Sequence, residues 1–227
     1  MGTKIMVIAL LLGIATTNTI MAQEKEHNGK HGENSANEYM HHTPVDRLIK
    51  NFESPERDAY QQPDKVMEYL GDLQGKTVMD IGAGSGYFSV KLADKGAKVI
   101  AADVNDEFQQ YLGQRIAEHN LKNIELRKIP YDSPSLRDGE VDMVLIVNTY
   151  HHIENRSDYF AKVKKGLTSE GELVVIDFFK TEDIPVGPPV EHKLSMDQVV
   201  AELKKAGFTS FEVVVDLLPY QYIIKAK

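Results

Sequence analysis

The chain has 227 residues, 34 acidic and 26 basic, with a formal net charge of −8 and 42% hydrophobic side chains. That balance fits a folded domain with one sizeable core and excludes disorder along the whole length. An acidic body repels phosphate, so no nucleic-acid partner is expected. Cysteine is absent, which excludes disulfides, thiolate metal ligands and thiol nucleophiles.

Residues 1–22 are expected to be an export signal. Lys4 supplies the positive start, Ile5 to Ala15 is an apolar run of the usual length, and Ala22 is a small residue before cleavage. A membrane anchor is the weaker reading, because a spanning helix needs about 20 apolar residues and Thr16 to Thr19 ends this run early. Export to a periplasmic or secreted location follows, with no membrane span left after signal removal. Residues 23–42 form a polar linker carrying His27, His31, His41 and His42, a set that could also bind metal weakly.

From there the elements follow in chain order. Residues 43–62 read as a short helix, Val45 to Phe52, and a charged, lid-like connector running to Pro63. A helix is expected over Pro63 to Leu70, since proline at the first helical position costs no hydrogen bond. Thr77 to Ile81 is a buried strand, Tyr87 to Lys95 a helix, Lys98 to Asp103 a strand, Glu107 to Asn120 a helix and Ile124 to Ile129 a strand. Val141 to Val147 is almost unbroken apolar sequence, as in a strand covered on both faces. Helix Ser157 to Leu167 and strand Glu172 to Phe178 follow a turn at Thr168 to Gly171. Ser195 should cap a helix ending near Ala206, and Phe211 to Val215 and Tyr220 to Lys225 make a hairpin-like end. The alternation predicts an α/β fold, a Rossmann-like doubly wound sheet of seven mostly parallel strands with a C-terminal antiparallel pair.

The chemistry concentrates in Val78-Met79-Asp80-Ile81-Gly82-Ala83-Gly84-Ser85-Gly86-Tyr87. Glycines at alternate positions after a buried strand let the backbone turn sharply and lie close to a ligand. Asp103 ends the next strand, where a carboxylate can accept from both hydroxyls of a ribose. A nicotinamide dinucleotide is disfavoured, because Tyr87 stands where that motif wants its last glycine. Asp80 beside the glycines suits a ligand with an ammonium group.

This string resembles motif I of class I S-adenosylmethionine-dependent methyltransferases. The likeness continues through Asp103, Val141-Asp142-Met143-Val144, the segment Asn148-Thr149-Tyr150-His151-His152-Ile153 and Gly166 to Leu173, and covers residues 63–227. It implies S-adenosyl-L-methionine as cofactor, with Gly82, Ala83, Gly84 and Gly86 packed under it. Asp80 would face its methionine end, Asp103 its ribose, and Asn148 would lie near the transferring methyl. Many members carry an acid just after the third strand for adenine. Here Ile129 and Pro130 stand there, and Asp132 comes later.

The resemblance implies methyl transfer by in-line displacement but supplies no acceptor. A small-molecule acceptor is expected because the acidic body disfavours nucleic acid and no large insertion offers a protein-docking surface. His151 and His152 are the candidate catalytic bases, since imidazole titrates near neutrality. Tyr60 from the connector and Glu191 and His192 from the loop after the fifth strand are candidate acceptor contacts. No metal site is assigned. Export conflicts with a cofactor made in the cytoplasm, so an exported binding protein that keeps the fold without turnover is the alternative reading.

Overall fold

The computed structural model describes residues 42–227. The expected export signal, and the linker apart from His42, lie outside the described residues. Three short helices come first: α1 (Val45–Phe52), α2 (Pro55–Gln61) and α3 (Pro63–Leu70). Strands and helices then alternate as β1 (Thr77–Ile81), α4 (Tyr87–Asp94), β2 (Lys98–Asp103), α5 (Asp106–Glu118), β3 (Ile124–Lys128) and β4 (Val141–Val147). The chain continues through α6 (Arg156–Gly166), β5 (Leu167–Phe178), α7 (Met196–Lys205), β6 (Phe211–Val214) and β7 (Gln221–Ala226).

The described strands form one seven-stranded sheet in the order β3-β2-β1-β4-β5-β7-β6. All pairings are parallel except those of β7, which runs antiparallel between β5 and β6. Successive side chains of a strand point to opposite faces, and both faces are apolar here. Met79, Val144, Ile146 and Val175 pack under α6 and α7 with Phe160, Val163, Val199 and Leu203. Val78, Val99, Met143 and Leu145 pack on the other face under α3, α4 and α5 with Val66, Leu70, Leu92 and Leu112. The run Met143 to Ile146 has no solvent exposure at all, which explains its lack of alternation.

Three expectations need correction. The connector between α1 and α3 contains a helix, α2. Ser54 caps it by accepting from the Arg57 N–H at 3.3 Å, and Pro55 occupies its first position. Its sequence, PERDAYQ, carries no apolar stripe, so periodicity could not reveal it. Second, β5 begins at Leu167 and absorbs the expected turn. Val141 pairs with Leu167 and Met143 with Glu172, so the extra residues of β5 bulge out of register. Third, Ser195 holds the N-cap position of α7 as expected, but its side chain makes no capping hydrogen bond.

No described helix is long and apolar enough to cross a membrane.

Candidate active site

The carboxyl ends of β1, β2, β4 and β5 open into a cavity of about 1040 Å³, lined on its other side by α1 and α2. Open α/β sheets bind ligands at this edge. Between β1 and α4 the chain turns at Gly82, Gly84 and Gly86, with φ of 75°, 54° and 82°. A Cβ on Gly82 would stand 2.4 Å from Thr149 Oγ1, and one on Gly86 would stand 2.4 Å from Leu112 Cδ1. Glycine is required at both places by backbone angle and by contact. The Phe52 ring lies against Gly84, where a Cβ would just touch it at 3.4 Å.

Two acids flank this turn. Asp103 is buried, its Oδ2 accepting from the Gly84 N–H at 2.8 Å and its Oδ1 from the Asn105 N–H at 2.8 Å. Burial raises its pKa, against the pull of those backbone donors. Each carboxylate oxygen keeps a further lone pair for a ligand hydroxyl. Asp80 is buried at the end of β1 and accepts from Ser89 Oγ at 2.7 Å. Burial pushes its pKa up to about 6, because the charged form has lost water without gaining a cation within bonding distance.

The segment containing α1 and α2 is fastened at both ends. On one side Glu53 accepts from Ser85 Oγ at 2.6 Å and from Arg115 Nη1 at 2.7 Å, joining α1 to the glycine turn and to α5. Phe52 packs on Phe108, with ring centroids 5.8 Å apart. On the other side three side-chain amides close a ring. Gln61 Nε2 donates to Gln221 Oε1 at 2.9 Å, Gln221 Nε2 donates to Asn148 Oδ1, and Asn148 Nδ2 donates to Gln61 Oε1 at 3.2 Å. Asn148 lines the cavity in a left-handed backbone conformation at φ 55°, with its side chain committed to α2 and β7. Tyr60 packs on Phe178 at 6.0 Å between centroids.

The far wall carries imidazoles. His151 and His152 sit on a single helical turn, Tyr150–His152, with rings 4.3 Å apart. The His151 Nδ1 lies 2.9 and 3.0 Å from the two oxygens of Asp177, a buried residue near the end of β5. Such a pair orients the ring, places the proton on Nδ1 and leaves Nε2 as a base. Burial, and then the neighbouring His151, push His152 down to about 3, so its ring is neutral across the ordinary pH range. Tyr60, Glu191 and His192 line the same cavity, with Gly187, Pro188 and Pro189 beside them. Every predicted site residue except Gly86 therefore borders one space, and Gly86 acts beneath it through Leu112. Asp132 does not line it, whereas Ile129, Pro130 and Tyr131 do. Asp177 and Gln221 were not anticipated. The only signal in the sequence is a polar residue at the margin of each apolar strand.

A family model described as a methyltransferase domain matches residues 79–175. A solved SAM-dependent methyltransferase from Aquifex aeolicus superposes with a TM-score of 0.74 at 28% identity, covering 81% of this chain and 98% of that one. Both findings support a class I S-adenosylmethionine-dependent methyltransferase domain in this chain. Among curated relatives, a tRNA U34 carboxymethyltransferase of Haemophilus influenzae is 28% identical over 164 residues, 66% of this chain and 50% of that protein. An uncharacterized methyltransferase of Staphylococcus carnosus is 28% identical over 145 residues, 60% of this chain and 64% of that protein. The chain thus spans about half the length of the tRNA-modifying relatives it matches.

Those relatives correct one expectation. A small-molecule acceptor with nucleic acid excluded was inferred from net charge, yet proteins named for a tRNA share this methyltransferase domain. The physical reason is that −8 is a sum over the whole chain, whereas contact with phosphate depends on the charge of one local face. Net charge does not decide the acceptor of this domain.

The residues fit S-adenosylmethionine. The turn leaves no room for a Cβ at Gly82 or Gly86, a buried acid without a cation lies at the end of β1, and a second acid with spare lone pairs lies at the end of β2. Asp80 would face the ammonium, Asp103 the ribose, and Phe52, Val104, Phe108 and Ile129 supply an apolar flank for a planar base.

Proposed function

We propose that this domain transfers a methyl group from S-adenosylmethionine to an acceptor that enters between α2 and the loop holding Pro188 and His192. The observation that carries the reading is the single cavity joining the glycine turn, Asp80 and Asp103 to the His151–Asp177 pair. When bound, the cofactor supplies a sulfonium methyl group, an electrophile that needs only an aligned lone pair. Alignment of that kind contributes up to ~7–11 kcal/mol in well-oriented systems. The chain's part is to hold the acceptor with Tyr60, Phe178 and the prolines, to exclude water with α1 and α2, and to receive a proton at His151 Nε2 where the acceptor must lose one. Asp177 holds the imidazole in the tautomer that accepts and stabilises the imidazolium that results.

The aromatic and proline-lined wall suits an acceptor with a planar reacting group, and a nucleobase presented by RNA is the acceptor that the names of the relatives favour. The test is incubation of the protein with methyl-labelled cofactor and a cell extract separated into small-molecule and RNA fractions. Label in the RNA fraction supports this reading, and label confined to the small-molecule fraction overturns it while leaving methyl transfer in place. Failure of the protein to bind S-adenosylhomocysteine would sink methyl transfer itself.

A further inference from the structure

Glu202, on α7, receives four side-chain hydrogen bonds, although no residue of α7 lines the cavity. Arg156 donates through Nε to Oε2 at 2.7 Å and through Nη2 to Oε1 at 3.0 Å. The Tyr150 hydroxyl donates to Oε2 at 3.0 Å, and Gln198 Nε2 donates to Oε1 at 3.1 Å. Two donors on each oxygen fill the acceptor sites of the carboxylate. Burial would raise its pKa, but the bonds from Arg156, Gln198 and Tyr150 hold it below the ordinary carboxylate range. Glu202 is thus a fixed anion, and its Arg156 partner is only 22% exposed.

Two of its donors flank the histidines. Tyr150 opens the single turn that carries His151 and His152, its ring buried and stacked on Phe160 at 4.6 Å between centroids. Burial, and then the Glu202 charge, raise the Tyr150 pKa, so the hydroxyl stays a donor. Arg156 reaches back with Nη1 to the carbonyl of Ile153, which closes the turn, at 2.9 Å. The turn is therefore tied to Glu202 both before and after the imidazoles. From the other side Asp177 holds the His151 ring itself. One acid sets the ring, and the other sets the backbone that carries it. A reacting group displaced by about 1 Å can lose about 100-fold in rate. We propose that Glu202 is a positioning residue for the proton-accepting imidazole, acting through Tyr150 and Arg156 to keep His151 Nδ1 on Asp177. The inference rests on the proposed role of His151 and extends that machinery to a helix outside the cavity.

Glu202→Gln keeps the shape of the side chain and removes its charge, whereas Tyr150→Phe keeps the stack on Phe160 and removes one donor. NMR of protein carrying isotope-labelled histidine, with S-adenosylhomocysteine bound, reads the proton on His151 Nδ1, assigned by its loss in His151→Ala. In the wild type this proton should be protected from exchange with water. In both variants its exchange should quicken by at least about tenfold, the range for losing a charged hydrogen bond. Affinity for S-adenosylhomocysteine should stay within about twofold, which also shows that the variants are folded. Methyl transfer from labelled cofactor to the RNA fraction should slow by roughly 10- to 100-fold. Glu202→Asp, which keeps the charge, should recover part of both losses. Unchanged proton exchange in a folded Glu202→Gln would overturn the positioning role and leave Glu202 as a tie between α6 and α7. Should Glu202→Gln fail to bind S-adenosylhomocysteine, Tyr150→Phe decides by the same measurement. A wild type that binds S-adenosylhomocysteine but shows no protected Nδ1 proton would remove the role of His151 and this inference with it, leaving cofactor use in place.

Discussion

Gln61 and Asn148 lie 87 positions apart, yet Asn148 Nδ2 donates to Gln61 Oε1 at 3.2 Å and so ties α2 to the end of β4. With Gln221 they form a closed ring in which each amide donates once and accepts once. Removing any member leaves two buried polar groups unpaired, at about 1–3 kcal/mol each. Gln61→Ala should therefore speed amide hydrogen exchange across residues 54–62 while leaving β4 protected. Exchange measured by mass spectrometry checks this, and equal exchange in both proteins would mean that the ring does not hold α2.

The second prediction concerns pH. Asp80 titrates at about 6 without ligand, above the ordinary 3.8. A raised pKa means that the folded protein holds the proton more tightly than the unfolded chain does. The Asp80 contribution to stability is thus present below about pH 4 and is lost as pH rises through 6. Asp80→Asn should accordingly stabilise the ligand-free protein at neutral pH, by up to ~3 kcal/mol, as read from denaturant unfolding. Binding runs the other way, because an ammonium ligand needs the ionised carboxylate. Affinity for S-adenosylhomocysteine should be level above pH 7, fall about tenfold per pH unit below 6, and lose that dependence in Asp80→Asn.

For the far wall the expectation is a split between turnover and binding. His151→Ala and Asp177→Asn should each lower kcat by ~10²–10⁴ on an acceptor that loses a proton during attack. Affinity for S-adenosylhomocysteine should change by less than about twofold in both, the signature of groups that act only in the transition state. His152 is already neutral down to about pH 3, so His152→Ala should leave the shape of the pH–rate profile near neutrality unchanged even where it lowers the rate.

The glycine turn permits a graded test. At Gly86 an added Cβ meets the end of the Leu112 side chain, which can move. At Gly82 it meets Oγ1, Cγ2 and Cβ of Thr149 at 2.4, 2.5 and 2.9 Å, and β-branching leaves Thr149 little freedom. Both substitutions carry the left-handed backbone cost of ~1–2 kcal/mol. Gly82→Ala should be the more destabilising of the two in denaturant melts, and Thr149→Gly should relieve part of its effect but none of that of Gly86→Ala.

The sheet was legible because its strands are short apolar runs set between strong punctuation. Val141 to Val147 and Lys98 to Asp103 read correctly to the residue. The glycine turn and the acids at the ends of β1 and β2 were legible too, since glycine spacing and strand-terminal acids are local features. What stayed hidden depends on chain segments that meet only in space. Helix α2 is held by a cap, an amide ring and contacts of Tyr60 and Tyr87 rather than by an apolar stripe. Asp177 gains meaning only through a histidine 26 residues away. Asn148 lines the cavity at the end of β4, and its amide also holds α2, a commitment that no local pattern could reveal.

The two fastenings of α1 and α2 differ in kind, and ionic strength should tell them apart. The Glu53–Arg115 pair is a quarter exposed on each side, so dissolved ions weaken it. The amide ring carries no net charge, and Gln61 and Gln221 are sealed from water, so salt leaves it untouched. Raising the salt would therefore unhook the end over the glycine turn first. The end at the glycine turn would then rest on the Ser85–Glu53 hydrogen bond and the Phe52–Phe108 contact alone, while the end at Asn148 stayed as firmly held as before.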